Sequence, residues 1–194
     1  MPAATAAALG ALAREKQLPL HLDGARLWNA ATALGVPPAD LARPATTVMV
    51  TFSKALGCPV GSALAFPTAA RGDVWEIRKR LGGGMRQSGM LAAAALYALD
   101  HNLGRIAEDH ANAQRLASAL SGHPWVRPLT PDSNIVMLDL LRESDTAEAM
   151  VSKLAADGVL VARWGPKRLR AVTHLDVSAA DIDRAAAMIA ERLR

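Results

Sequence analysis

The sequence predicts an α/β protein. Three observations carry this. Short apolar runs alternate with helix-compatible stretches. Two of those runs, residues 18–22 and 47–52, end abruptly in polar residues, as strands do where an open sheet meets a ligand crevice. A second set of strands and helices then follows a long helical stretch, 89–120, which reads as a bridge. We therefore expect the C-terminal part of a large α/β domain over residues 1–110 and a small α/β domain over 111–194.

The elements follow in order. Residues 4–15 are alanine-rich with Leu9 and Leu12 and read as a helix. Residues 18–22 alternate apolar side chains and read as a strand, closing on Asp23-Gly24-Ala25-Arg26. A helix over 27–34 is stopped by Gly35 and Pro37-Pro38. The β-branched run 47–52 is a second strand ending at Ser53-Lys54. Gly57, Pro59 and Gly61 signal a loop, and 63–66 a third strand. Residues 73–81 are helical up to Gly82-Gly83-Gly84, and Gly104 marks a break in the bridge. Strands are expected at 134–140, 159–164 and 169–174. One helix covers 145–156, with Asp145 as N-cap and Glu148 at N3. The last starts at the capping box Ser178-Ala179-Ala180-Asp181 and buries Ile182, Ala186, Ile189 and Leu193.

Composition bounds the function. Of 194 residues, 51% are hydrophobic and 21% charged, ordinary values for a globular chain. A chain of this length buries roughly 70% of its extended surface and needs no covalent staples. A single cysteine, Cys58, precludes an intrachain disulfide and points to a reducing compartment. The net charge is +4, but apart from Arg78-Lys79-Arg80 and the segment 163–170 the basic residues are scattered. Phe, Trp and Tyr are few, and no RNA-binding signature or zinc-finger spacing occurs, so neither a nucleic-acid partner nor a metal is expected. No run reaches the ~20 apolar residues of a membrane span. The N-terminus lacks a basic leader region, so a cytoplasmic protein is expected.

The chemistry concentrates at the two strand ends. Asp23, Arg26, Ser53 and Lys54 bring a carboxylate, a guanidinium, a hydroxyl and an amine to one probable crevice. A lysine just beyond a buried strand is shielded from water, which frees its amine as a nucleophile. Such an amine forms a Schiff base with an aldehyde cofactor. Pyridoxal 5'-phosphate also needs an anionic partner for its ring nitrogen, a role open to Asp23. The alternative for the same residues is a structural Lys54–Asp23 ion pair.

Several motifs in one order sharpen the reading. His21-Leu22-Asp23-Gly24-Ala25-Arg26-Leu27, Ser53-Lys54, Gly57-Cys58-Pro59-Val60-Gly61-Ser62, residues 82–89, Glu108-Asp109-His110-Ala111-Asn112-Ala113 and residues 170–178 together resemble the threonine aldolase family. That family is grouped with the aromatic β-eliminating lyases. The resemblance runs from about residue 15 to the end. It implies the pyridoxal-phosphate-dependent fold type I, cleavage of L-threonine or L-allo-threonine to glycine and an aldehyde, and a homodimer or homotetramer. It makes Lys54 the Schiff-base lysine and Asp23 the partner of the pyridine nitrogen. Arg26 would hold the O3′ side of the ring, and Arg170 the substrate carboxylate. Ser53 either reaches the cofactor phosphate or shapes the turn. Arg26 and Arg86 join Arg170 in the substrate-binding set, whereas Lys79 reads equally as helix surface. His21, His174 and Cys58 are expected to be structural, and His101, His110 and His123 are given no role.

Two departures stand out. Ala55 follows the lysine where relatives generally carry glycine. The chain also starts barely one helix before Asp23, whereas relatives carry a long preceding segment with the phosphate loop, a ring-stacking histidine and the proposed base. We therefore expect a chain truncated at its N-terminus, with the base outside it. Two other functions compete: another pyridoxal-phosphate lyase of the same fold, and a non-catalytic fragment acting as an oligomerisation module.

Overall fold

The structure, a computed structural model, describes residues 2–194. It divides into two compact units, the first ending at Gly104 and the second spanning Arg105–Arg194. The division falls ahead of the 110/111 boundary read from the sequence. The reason is that the helix beginning at Ile106 packs on the sheet and last helix of the second unit.

The first unit opens with α1 (Ala3–Glu15), followed by β1 (His21–Gly24), α2 (Leu27–Leu34), α3 (Pro38–Ala42), β2 (Thr47–Thr51) and β3 (Ser62–Ala65). Then come α4 (Arg71–Arg80) and α5 (Gly89–His101). The sheet order is β1-β2-β3, with β1 parallel and β3 antiparallel to β2. The first strand starts later than the apolar alternation implied. Gln17 takes a left-handed φ of 54°, and the Leu18 amide donates back to Ala13 at 2.8 Å, so Leu18 still belongs to the end of α1 and stays exposed. Gly35 closes α2 with φ 64°, as its position predicts. The buried apolar set is small: Leu27, Ala31, Ala55, Leu56, Cys58 and Ala98.

The bridge is not one helix. A 3-10 turn at Leu103–Arg105 separates α5 from α6 (Ile106–Ala119). The second unit continues with β4 (Val126–Pro128), β5 (Ile135–Leu140), α7 (Ala147–Ala156), β6 (Ala162–Gly165), β7 (Arg168–Val172) and α8 (Ala179–Arg192). Its antiparallel sheet has the order β4-β5-β7-β6. Alternate residues of β5 and β7 (Val136, Leu138, Leu140, Leu169, Ala171) are buried against α6, α7 and α8 in one contiguous core. The capping box at Ser178 and Asp181 forms as read, and Ile182, Ala186, Ile189 and Leu193 are buried. At α7 the N-cap is Thr146, not Asp145. The Thr146 hydroxyl accepts from the Ala149 amide at 3.2 Å, while the Asp145 carbonyl accepts from the Lys167 ammonium. Among the described residues no helix is long and apolar enough to cross a membrane.

Candidate functional site

The parallel pairing of β1 with β2 sets the site. His21 lies opposite Thr47, Asp23 opposite Met49 and Gly24 opposite Val50, so the carboxyl ends of both strands share one sheet edge. Asp23 sits at the end of β1 and Ser53-Lys54 just past the end of β2. Arg26 caps the start of α2 three residues beyond Asp23. The structure thus brings Asp23, Arg26, Ser53 and Lys54 to the same edge.

Local packing explains the precision. A side chain at Gly24 would come within 2.3 Å of the Met49 carbonyl oxygen, so only glycine lets β1 approach β2 here. The next turn is tied back by the Ala25 amide, which donates to Asp23 Oδ1 at 3.0 Å. The Trp28 indole donates to the Thr51 carbonyl at 3.0 Å and so anchors α2 to the end of β2. Thr51 Oγ1 lies 3.1 Å from Ser53 Oγ and donates to the Gly61 carbonyl at 3.2 Å. That contact ties the Ser53 side chain to the end of β2.

The loop carrying Lys54 is held from behind. The Phe52 amide donates to Gly61, the Cys58 amide to Phe52 and the Gly57 amide to the Lys54 carbonyl. Ala55, Leu56 and Cys58 point inward, and Asn102 on the following segment donates to the Leu56 carbonyl at 2.9 Å. Burial pushes the Cys58 thiol pKa up, consistent with an inert packing role. The consequence corrects one expectation: with its neighbours turned inward, Lys54 projects outward and is exposed, not shielded. Asp23 is exposed as well. No ion pair within 4.0 Å joins Lys54 to Asp23, which removes the structural ion-pair reading among the described residues.

Other candidates lie elsewhere. Arg86 is exposed on the loop between α4 and α5, where Gln87 takes a left-handed φ of 49°. Lys79 is exposed in the last turn of α4. His21 Nδ1 is 2.8 Å from Thr47 Oγ1, a cross-strand contact, and His174 lies 3.5 Å from Asp176. Arg170 belongs to the second unit, half-buried on the β7 face opposite the core. The guanidinium of Arg168, on the same face, is occupied by Asp139 through Nε at 2.5 Å and Nη2 at 3.0 Å. Arg127 donates to the same carboxylate at 3.1 Å. Those bonds, Arg168 first, hold the Asp139 carboxyl below the ordinary carboxylate range. Arg170 has no carboxylate within 4.0 Å among the described residues, and its guanidinium lies over the Trp164 ring, 5.4 Å from the centroid. Sequence reasoning missed Trp164, whose only signal was an aromatic residue in the strand preceding Arg170. Among the described residues no group of three His, Cys, Asp or Glu could hold a metal.

Comparison with known proteins places this geometry. A sequence model described as beta-eliminating lyase matches residues 1–143. Low-specificity L-threonine aldolase 1 of Arabidopsis thaliana is 39% identical over 177 residues, covering 90% of this chain and 49% of the relative. The low specificity L-threonine aldolase of Escherichia coli K12 is 38% identical over 174 residues, covering 90% and 51%. The chain thus spans about half the length of the curated relatives it matches. The solved structure of Leishmania major threonine aldolase superposes with a TM-score of 0.77 at 21% identity, over 99% of this chain and 57% of that one. The fold is that of pyridoxal-phosphate-dependent fold type I, as the resemblance implied. With residues 1–143 covered by one family, and the motif-bearing strand ends inside that span, the chain belongs to the beta-eliminating lyase family.

Proposed function

We propose that this chain acts in the pyridoxal-phosphate-dependent cleavage of L-threonine and L-allo-threonine to glycine and acetaldehyde. One observation carries the reading. Parallel pairing of β1 and β2 sets a carboxylate, Asp23, and a primary amine, Lys54, at one sheet edge without pairing them to each other. The donor set suits the cofactor: an amine for its aldehyde, a carboxylate for its ring nitrogen, and a hydroxyl and a guanidinium beside them. When bound, the cofactor supplies the electron sink that accepts the electron pair of the broken Cα–Cβ bond.

The chain's own residues do the rest. Lys54 holds the cofactor through its aldehyde, and Asp23 keeps the ring nitrogen protonated by its charge. Arg26 would support the O3′ side, and Ser53 would either reach the phosphate or shape the turn. Arg170 takes the substrate carboxylate in a two-point fork, which a lysine would not reproduce; Arg86 assists substrate binding. In the overall reaction the hydroxyl proton leaves as Cα–Cβ breaks, Cβ becomes the aldehyde carbon and Cα regains a proton.

The names of the relatives favour the aldolase reaction, whereas the description of the family favours β-elimination as the alternative. Products separate the two: glycine and aldehyde, or pyruvate and ammonia. We further propose a homodimer or homotetramer in the cytoplasm. Exposed Trp75, Ile77, Leu81, Met85, Met90, Leu96 and Tyr97 in the first unit support assembly. The buried, unpaired Cys58 is compatible with a reducing compartment.

The test is direct. The purified chain mixed with pyridoxal 5'-phosphate should develop a visible absorption band that is absent in Lys54→Ala. Joined to the preceding segment that its relatives carry, it should then release glycine and acetaldehyde from L-threonine. An unchanged band in a folded Lys54→Ala variant would sink the assignment of Lys54, and pyruvate with ammonia would replace the aldolase reading.

A further inference from the structure

Trp164 is 60% exposed, too open to serve the core. It sits on β6 where the register with β7 slips between Arg163 and Gly165. Trp164 is the extra residue of that slip, and its ring lies against Arg170 and lines the same surface as Arg127, Asp139 and Arg168. The other two arginines on this face, Arg127 and Arg168, are both committed to Asp139. Arg170 alone has an aromatic ring in place of a carboxylate.

The difference has a chemical consequence. All five donors of a guanidinium lie in its plane. A ring over the flat face restrains the group and uses none of those donors, whereas an ion pair consumes the edge that a ligand carboxylate needs. We propose that Trp164 is a positioning residue for Arg170. Its indole holds the guanidinium so that the donor edge stays open and aligned for an incoming carboxylate. This deepens the reading of Arg170 as the carboxylate fork and rests on it.

An exposed cation–π contact translates into about a two- to five-fold change in an equilibrium. The first measurement is the NMR signal of the Arg170 side chain in the chain without cofactor. It should show an aromatic ring-current shift that Trp164→Leu abolishes and Trp164→Phe retains. The second is steady-state cleavage of L-threonine by the chain joined to the preceding segment that its relatives carry, with pyridoxal 5'-phosphate bound. Trp164→Leu should raise KM about two- to five-fold with kcat unchanged, and Trp164→Phe should restore it. An Arg170 signal indifferent to Trp164→Leu overturns the proposal. So does an unchanged KM in Trp164→Leu when Arg170→Ala raises it, an outcome that leaves the carboxylate fork standing. An unchanged KM in Arg170→Ala overturns the fork and this proposal together.

Discussion

Gly24→Ala tests whether the geometry of the strand ends matters. The added methyl would stand 2.3 Å from the Met49 carbonyl oxygen and 3.3 Å from Leu27 Cβ. Real contacts of this kind do not fall below 3.0 Å, so β1 must retreat from β2 by at least 0.7 Å. The obstacle is backbone, which cannot rotate aside. Overpacking of this kind costs about 1–3 kcal/mol, and the displaced residue is the neighbour of Asp23. The expected result is a lower denaturation midpoint together with weaker pyridoxal 5'-phosphate binding, followed by absorbance titration. Gly72→Ala serves as control. It lies inside α4, and its methyl meets nothing within 4 Å. Relief of helical glycine entropy should stabilise it by about 0.5–1 kcal/mol. If Gly24→Ala matched wild type in both stability and cofactor affinity, the close approach of β1 to β2 would not be what fixes the site.

Two further outcomes concern the second unit. Asp139→Asn should destabilise it by about 1 kcal/mol at pH 7, the exposed guanidiniums screening the pair. The Asp139 carboxyl is held below its usual value by the Arg168 hydrogen bonds, then by Arg127. Its contribution is therefore full above the unfolded value of about 3.9 and lost as pH falls through the lower folded value. Urea midpoints of variant and wild type should start to converge as pH falls below about 3.9 and meet only below the lower folded value; a gap that does not narrow as pH falls would refute the linkage. Leu138→Ala, at a fully buried position on β5, should cost about 2–5 kcal/mol in the same assay. A loss under 1 kcal/mol would mean the sheet is not the centre of that core.

Legibility in the sequence followed the range of the forces involved. α8 was readable in full because a capping box and a helical apolar stripe are local signals. So was β2, whose β-branched residues and terminal Ser53-Lys54 mark it without reference to any partner. β4 was invisible. It is three residues long and exists because Val126 and Pro128 pair with Leu140 and Leu138. The start of β1 was misplaced for a related reason. Leu18–Leu20 alternate as a strand would, but the partner strand begins at Thr47, so pairing starts only at His21. At α7 two adjacent capping residues competed, and Lys167, distant in sequence, settled the matter by drawing the Arg142, Glu143 and Asp145 carbonyls to its ammonium. The placement of Asp23, Ser53 and Lys54 at strand ends was legible because it depends only on where strands stop. The exposure of Lys54 was not, because it depends on which neighbours turn inward.

The two units divide the physical work unequally. In the second, five alternating sheet residues meet three helices, and the buried set is contiguous. In the first, the buried apolar residues are mostly small, and β3 is exposed along its whole length. Yet the amine, the carboxylate and the turn hydroxyl all belong to the thinly buried unit. Their order cannot come mainly from apolar burial. It comes from directed bonds: Trp28 to Thr51, Ala25 to Asp23, Thr51 to Gly61, Asn102 to Leu56. Such bonds contribute about 1 kcal/mol each but specify direction, which burial does not. An exposed lysine on a loop held this way is accessible to a cofactor aldehyde while its backbone stays fixed. The same logic extends to the second unit, where Arg170 lies outside the ion-pair network of its face. In both places the candidate group is one that the scaffold holds without an ion-pair partner among the described residues.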